Sequence, residues 1–222
     1  MNETEMVCLD NMRIQKISVN EYEKVALLLT DAFETNPAYS LIFNRTDRLR
    51  EGLLWLFRTS LFLLNRRQTL TSVVKEGGSD RIIGTFTLVP PGGVKNHFTD
   101  YMQIGLPSFL IKFGFRSLSN MLGMDAYNKE ILNKSIKSER YYYLSMVAMD
   151  AGYRGKGLGS FAIKNCLTEL SARKRDYDLL GLTTQLPENL AFYSKLGFEK
   201  IDEGLLDFKG NKYYNYNMKF NL

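Results

Sequence analysis

A chain of 222 residues with 45% hydrophobic and 13% aromatic side chains can bury a sizeable core, which excludes a disordered, collagenous or low-complexity protein. The net charge of +5 is the small excess of 29 basic over 24 acidic residues, and without an aromatic-basic stripe it does not call for a nucleic-acid partner. Cys8 and Cys166 stand far apart with neither disulfide nor metal-ligand spacing, so a disulfide scaffold is excluded and no metal is expected.

The opening MNETEMVCLDNMR lacks a basic start and an apolar h-region, so no secretory signal is expected and the cytoplasm is the expected compartment. Met12 to Ile17 reads as an edge strand. Ser18 then caps a helix carried by Tyr22, Val25, Leu28 and Leu29, which stops near Phe33 because Pro37 opens a loop. Arg48 to Arg67 is helical and apolar nearly all round. Arg58 interrupts it and the run falls short of the roughly 20 residues a bilayer requires, so we read a buried helix and expect no membrane partner.

Thr69 to Lys75 and Arg81 to Val89 are β-rich runs joined by the turn Glu76-Gly77-Gly78-Ser79-Asp80, and Pro90-Pro91-Gly92-Gly93 stops the second. From Ile104 to Lys137, Leu106, Phe109, Leu110, Phe113 and Leu118, then Tyr127, Ile131, Leu132 and Ile136, recur at the spacing of two helices.

The stretch from Tyr141 to Glu169 organises the rest. Tyr141, Tyr143, Ser145, Val147 and Met149 share one face of a strand and Tyr142, Leu144, Met146 and Ala148 the other, so both faces are mostly apolar, as in a central strand. Past a glycine-rich loop, Leu158, Phe161, Ala162, Cys166 and Leu170 mark the apolar side of a helix. The loop is Arg154-Gly155-Lys156-Gly157-Leu158-Gly159-Ser160. Its glycines let the backbone turn and approach a ligand, helix-start amides point outward, and Arg154 and Lys156 add positive charge, which together make an anion site. Arg173-Lys174-Arg175, at the end of this helix, reads as a solvated terminus.

Asp178 to Thr184 is a short apolar strand, parallel to Tyr141–Met149 because a helix of crossover length joins them. Pro187-Glu188-Asn189 starts another helix, which Gly197 ends before Phe198. At the C-terminus Tyr214, Tyr216, Met218 and Phe220 alternate with Asn215, Asn217 and Lys219, the pattern of a half-buried strand closing the sheet.

R-x-x-G-x-G after an apolar strand fits neither the Gly-Lys-Ser/Thr ending of the nucleotide-triphosphatase loop nor the G-x-G-x-x-G dinucleotide fingerprint. It resembles the acetyl-CoA pyrophosphate loop of the GNAT superfamily of N-acetyltransferases. Asn189-Leu190-Ala191-Phe192-Tyr193-Ser194-Lys195-Leu196-Gly197-Phe198 resembles that superfamily's other signature, N-x-x-F/Y-Y-x-K-x-G-F. The resemblance implies an α/β (α+β) GNAT fold across residues 1–222 as one domain: a mixed, mostly antiparallel sheet of about seven strands, splayed between strands 4 and 5 and flanked by helices. The helical insertion between strands 3 and 4, about residues 100–138, is similar in arrangement to the puromycin N-acetyltransferase-like branch, where it would form a lid or wall of the acceptor pocket.

Acetyl-CoA is the implied acyl donor, its pyrophosphate on Arg154 to Ser160 and its pantetheine arm paired with Val147, Ala148 and Met149. Asn189 would bond that arm or its neighbouring backbone, and Tyr193 would protonate the departing thiolate as general acid. The implied partner is a small-molecule primary amine, attacked in a ternary complex, with the protein a monomer or homodimer. Acetylation of a protein or peptide amine, or acyl-CoA binding without turnover, is the alternative. His97 and Glu34 are candidates for the acceptor side, with a surface role the commoner outcome for each; Cys166, on the buried side of its helix, is expected to be inert.

Overall fold

In the computed structural model, which describes residues 12–43, 46–137, 140–172 and 177–222, seven strands form one sheet. The strands are β1 (Met12–Lys16), β2 (Thr71–Glu76), β3 (Ile82–Val89), β4 (Tyr142–Met149), β5 (Leu179–Thr184), β6 (Glu199–Phe208) and β7 (Asn211–Asn221), in the order β1-β2-β3-β4-β5-β7-β6. The α-helices are α1 (Tyr22–Phe33), α2 (Pro37–Ser40), α3 (Leu49–Asn65), α4 (Phe98–Gln103), α5 (Leu106–Ile136), α6 (Leu158–Ala172) and α7 (Pro187–Lys195). Every neighbouring pair of strands is antiparallel except β4 with β5. That parallel pair needs a crossover, and α6 supplies it.

Local chemistry sets the boundaries. The Ser18 backbone N–H donates to Glu21 Oε2 at 2.8 Å in a capping box that leads into α1. Pro37 does not merely end a helix: Asn36 Oδ1 accepts from the Ala38 N–H at 3.0 Å, so the proline becomes the first residue of α2 instead of opening a plain loop. The insertion is helical as expected but is divided elsewhere: the stretches Leu106–Leu118 and Tyr127–Ile136 both fall in α5, whose one break lies inside the first of them at Gly114, where φ 79° and ψ 164° are open to glycine alone. The short α4 before it is an addition to the expected elements.

Two apolar clusters sandwich the sheet. On one face α1, α3 and the first half of α5 pack around Leu29, Leu53, Phe57 and Phe109; on the other α6 and α7 pack around Ile163, Leu167, Leu180 and Met218. Leu29 and Leu53 are each 0% exposed, a burial that contributes roughly 1.5–3 kcal/mol per side chain. Phe109 rests against Trp55 of α3 with ring centroids 4.1 Å apart, so this part of the insertion is core. Among the described residues no helix is long and apolar enough to cross a membrane.

Two strand readings change. The alternation expected along β4 breaks at Met146, whose φ is +49°: Leu144 packs with the α6 cluster, but so do Val147 and Met149, while Met146 and Ala148 face the α1 side. An inserted residue reverses which side chains point each way. At the C-terminus β7 does not close the sheet, because it lies between β5 and an unforeseen edge strand, β6. Asn215 and Asn217, polar members of the expected alternation, are therefore each only 1% exposed. Cys8 and the Arg173-Lys174-Arg175 triplet lie outside the described residues.

Candidate active site

Pairing between β4 and β5 consists of Tyr142 with Leu180 and Tyr143 with Gly181, and then the strands part. Each stays attached on its other side, β4 to β3 through Met149 and β5 to β7 through Thr184. The gap is thus held open by two halves of one sheet. A β-bulge sits just beyond the last pair: the β3–β4 register passes from Thr87 opposite Ser145 to Thr85 opposite Ala148, leaving Met146 and Val147 against Phe86. Bulges bend the strand and raise its twist, which suits the point where β4 leaves its neighbour. Val147 lies in the bulge and Ala148 and Met149 follow it, all on the length of β4 that no longer pairs with β5.

At the end of β4 the chain is pinned. The Asp150 N–H donates to the Ile83 carbonyl at 2.8 Å, and the Asp150 carboxylate accepts from the Gly152 N–H at 2.9 Å. Arg154 Nε donates back to the Met149 carbonyl at 3.0 Å. Gly155 and Gly157 then take φ of +75° and +77°, values that let the loop deliver Leu158, 1% exposed, into the core as the first residue of α6. The first amides of α6, around Leu158, Gly159 and Ser160, lie at a helix start, where N–H groups lack an intrahelical acceptor and the dipole favours an anion. Gly159 has a different task from its neighbours. A Cβ there would lie 3.5 Å from Met149 Cγ and 3.5 Å from Phe192 Cζ, so β4, α6 and α7 converge on it.

Positive charge gathers on the same side. The Lys156 ammonium lies 5.2 Å above the Tyr153 ring and the Arg81 guanidinium 5.0 Å from it, while the Tyr153 hydroxyl donates to Glu76 at 3.0 Å. Arg81, the first residue of the expected strand, instead precedes β3 and turns its guanidinium to this loop.

Across the gap, Asn189 Nδ2 donates to Thr184 Oγ1 at 2.9 Å and ties α7 to the end of β5. Tyr193 is 7% exposed, its ring edge-on to Phe192 at 5.0 Å and to Phe198 at 5.5 Å. Burial pushes its pKa above the ordinary phenol value, so the hydroxyl keeps its proton at neutral pH. Cys166 is buried in the same cluster.

On the insertion side, a run of polar groups joins the strands beyond the gap. Asn36 Nδ2 donates to Gln185 Oε1 at 3.2 Å, and Gln185 Nε2 to Asn215 Oδ1 at 2.9 Å. Thr183 Oγ1 and Asn215 Nδ2 both donate to Asn217 Oδ1, at 2.9 and 3.2 Å. The other two acceptor-side candidates are engaged elsewhere: Glu34 pairs with Arg50 at 3.1 Å on the surface, and exposed His97 precedes α4, its backbone N–H donating to Asp100 at 2.8 Å.

The model of the acetyltransferase (GNAT) family matches residues 34–198, from the end of α1 through Phe198. The chain belongs to the GNAT acetyltransferase family. It is therefore an enzyme of the acyltransferase class, and the matched span contains the parting strands, the glycine loop and α7. GNAT folds recur among solved structures. A histone acetyltransferase HPA2 and related acetyltransferase from Corynebacterium glutamicum is 16% identical with a TM-score of 0.60, covering 94% of this chain and 95% of its own. The polyamine N-acetyltransferase of Drosophila melanogaster is 14% identical with a TM-score of 0.60, covering 96% and 100%. The NatC complex bound to Gag peptide and CoA is 13% identical with a TM-score of 0.52, covering 96% and 99%. No curated protein matches the sequence.

What this GNAT chain hid from sequence reasoning is the polar run beneath the insertion. Asn215 and Asn217 have the pattern of the wet face of an edge strand, and the period of two cannot reveal that β7 is an inner strand and that α5 covers this face.

Proposed function

We propose that the protein transfers the acetyl group of acetyl-CoA to a primary amine of a small molecule by direct attack within a ternary complex. The observation that carries this reading is the coincidence of the β4–β5 gap with a glycine-shaped, basic helix start immediately after β4. An extended pantetheine arm can add to β4 as a strand would, along Val147, Ala148 and Met149, while the pyrophosphate meets the amides from Gly155 through Ser160. Lys156 and Arg154 add charge, and the hold of Arg154 on the Met149 carbonyl keeps the loop against the strand. That a similar fold has been solved with CoA bound, and that similar folds include a polyamine N-acetyltransferase, supports the donor and the kind of acceptor.

In the reaction, the neutral amine nitrogen attacks the thioester carbonyl. The proton it then sheds passes through solvent, which returns one to the Tyr193 phenolate at the end of the cycle, and the C–S bond breaks as the tetrahedral intermediate collapses to amide and thiol. Tyr193 supplies the proton that the departing sulfur takes up; burial raises its pKa further above that of a thiol, so the transfer depends on the phenol being held at the sulfur as charge develops and not on its acidity. Asn189 acts at one remove, holding Thr184 and so the far wall of the gap.

The test is an amine panel followed by release of the free CoA thiol. Acetyl-CoA-dependent release with at least one small amine is expected. Tight acetyl-CoA binding without release on any small amine would overturn the proposal, and release with peptide amines alone would move the acceptor to that class.

A further inference from the structure

α4 and the start of α5 lie lengthwise against α3. Just past the C-terminal end of α3, Arg66 pairs with Asp100 at 3.2 Å and donates to Gln103. In its middle Trp55 meets Phe109 at 4.1 Å, and just before its start Arg48 donates to the Lys112 carbonyl at 3.0 Å. The segment therefore runs antiparallel to α3 along its 17 residues, about 25 Å. Asp100 and Phe109, each 1% exposed, face inward. Phe98, Ile111 and Phe115 are 77%, 89% and 74% exposed, and Tyr101 and Met102 are exposed too, so these five form an outward ridge.

No apolar contact holds α4 down. Among the described residues none of its side chains joins a core cluster, and its one buried group, Asp100, accepts from the His97 N–H at 2.8 Å and pairs with Arg66 and Arg67. Phe98, Tyr101 and Met102 stand at i, i+3 and i+4, on the opposite face. A helix pinned by one carboxylate and apolar on its open face marks an interaction surface. Charge says with what. From Lys95 to Arg116 the one acid is Asp100, so every exposed charge of the segment is positive, and Glu51 beside it is taken up by Lys112 and Arg48. A second copy docked by the same face would set these cations against each other. Anionic headgroups over hydrocarbon match both the charge and the apolar side chains.

We propose that α4 and the start of α5 are a docking ridge for an anionic lipid surface. Phe98, Met102, Ile111 and Phe115 enter the boundary between headgroups and acyl chains, while Lys95, Lys112 and Arg116 meet the headgroup charge. None of the described helices is long and apolar enough to cross a membrane, so the ridge rests on one leaflet and does not span it. Docking goes beyond acetyl transfer and is independent of it, because the ridge uses no residue of the β4–β5 gap or of the glycine loop.

The experiment is co-sedimentation of the full chain with phosphatidylcholine vesicles, with and without about one-third phosphatidylserine, at low and moderate salt. Binding at least about tenfold tighter to the serine-lipid vesicles is expected, and it should weaken as salt rises. Phe98→Ser and Phe115→Ser change exposed side chains, so the fold should survive, which circular dichroism checks; each should weaken binding roughly tenfold. Lys95→Gln combined with Arg116→Gln should weaken it roughly 10- to 30-fold and flatten the salt dependence. Equal affinity for the two kinds of vesicle overturns the proposal. So does binding that both serine variants leave unchanged, because scattered charge then accounts for it. Absence of vesicle binding overturns it as well, and dimers in ultracentrifugation that Phe115→Ser dissociates would then make the ridge a contact between copies of this chain.

Discussion

Tyr143 pairs with Gly181, and no later residue of β4 pairs with β5 although β4 continues to Met149 and β5 to Thr184. The backbone groups of β4 that would have met β5 therefore face an opening in the middle of the sheet, not at its edge. A polar backbone exposed in such a place invites an extended partner, and the proposed pantetheine arm is one.

Gly159 separates fold from binding. Its missing Cβ would meet only ordinary contacts, so Gly159→Ala should fold with a stability change within about 1 kcal/mol. Gly159→Asp should also fold, since an acid in the first turn of α6 suits the helix dipole, yet its charge competes with the diphosphate for the same amides. Calorimetry should show acetyl-CoA binding lost in the Asp variant, while Arg154→Ala, which leaves the backbone donors, weakens it by only about 1–2 kcal/mol. Normal affinity in folded Gly159→Asp removes the loop from the CoA site.

For Tyr193→Phe the ring contacts with Phe192 and Phe198 persist and only the hydroxyl goes. We expect kcat to fall roughly 10²- to 10⁴-fold with acetyl-CoA affinity nearly unchanged. A kcat within about twofold of wild type, with chemistry shown to limit the rate, removes Tyr193 from the mechanism. A loss of stability with unaltered kcat marks it as a core tyrosine.

Phe109→Ala tests the insertion as core. The ring is 1% exposed and stacks between Trp55 at 4.1 Å and Phe113 at 5.0 Å, so its removal should cost about 3–5 kcal/mol in urea unfolding. A cost below about 1 kcal/mol means that the insertion is merely laid on the domain.

Stability against pH should register the pair of Glu21 and Lys75, 2.6 Å apart with side chains 9% and 8% exposed. Desolvation alone would raise the Glu21 carboxyl, but hydrogen bonds from Lys75 and Ser18 outweigh it and hold the pKa below 4.5. A carboxyl depressed on folding contributes its stability above the unfolded value and loses it as pH falls through the folded one. Lys75 runs the other way: its hydrogen bond to Glu21 raises it above 10.5, so its contribution is full below that value and fades as pH rises through the folded pKa. Glu21→Gln should therefore lower the urea midpoint at neutral pH and flatten its decline below about pH 4.5. An identical acid limb in wild type and variant refutes the assignment.

The sequence by itself determined the local and periodic features. Three glycines after an apolar run specified the strand, loop and helix of Tyr141–Glu169, Ser18 the entry to α1, and two motifs the family, because each rests on neighbours along the chain. Gly155 and Gly157 do take the left-handed φ that the loop needed. Tertiary structure alone decided what depends on residues far apart. The bulge at Met146 cannot be read from alternating apolar residues on both faces, since a shift by one leaves such a pattern unchanged, yet it decides which of Val147 and Ala148 faces which layer. Whether Asn217 met water or Thr183 turned on β7 pairing with β5 and on α5 covering that face of both.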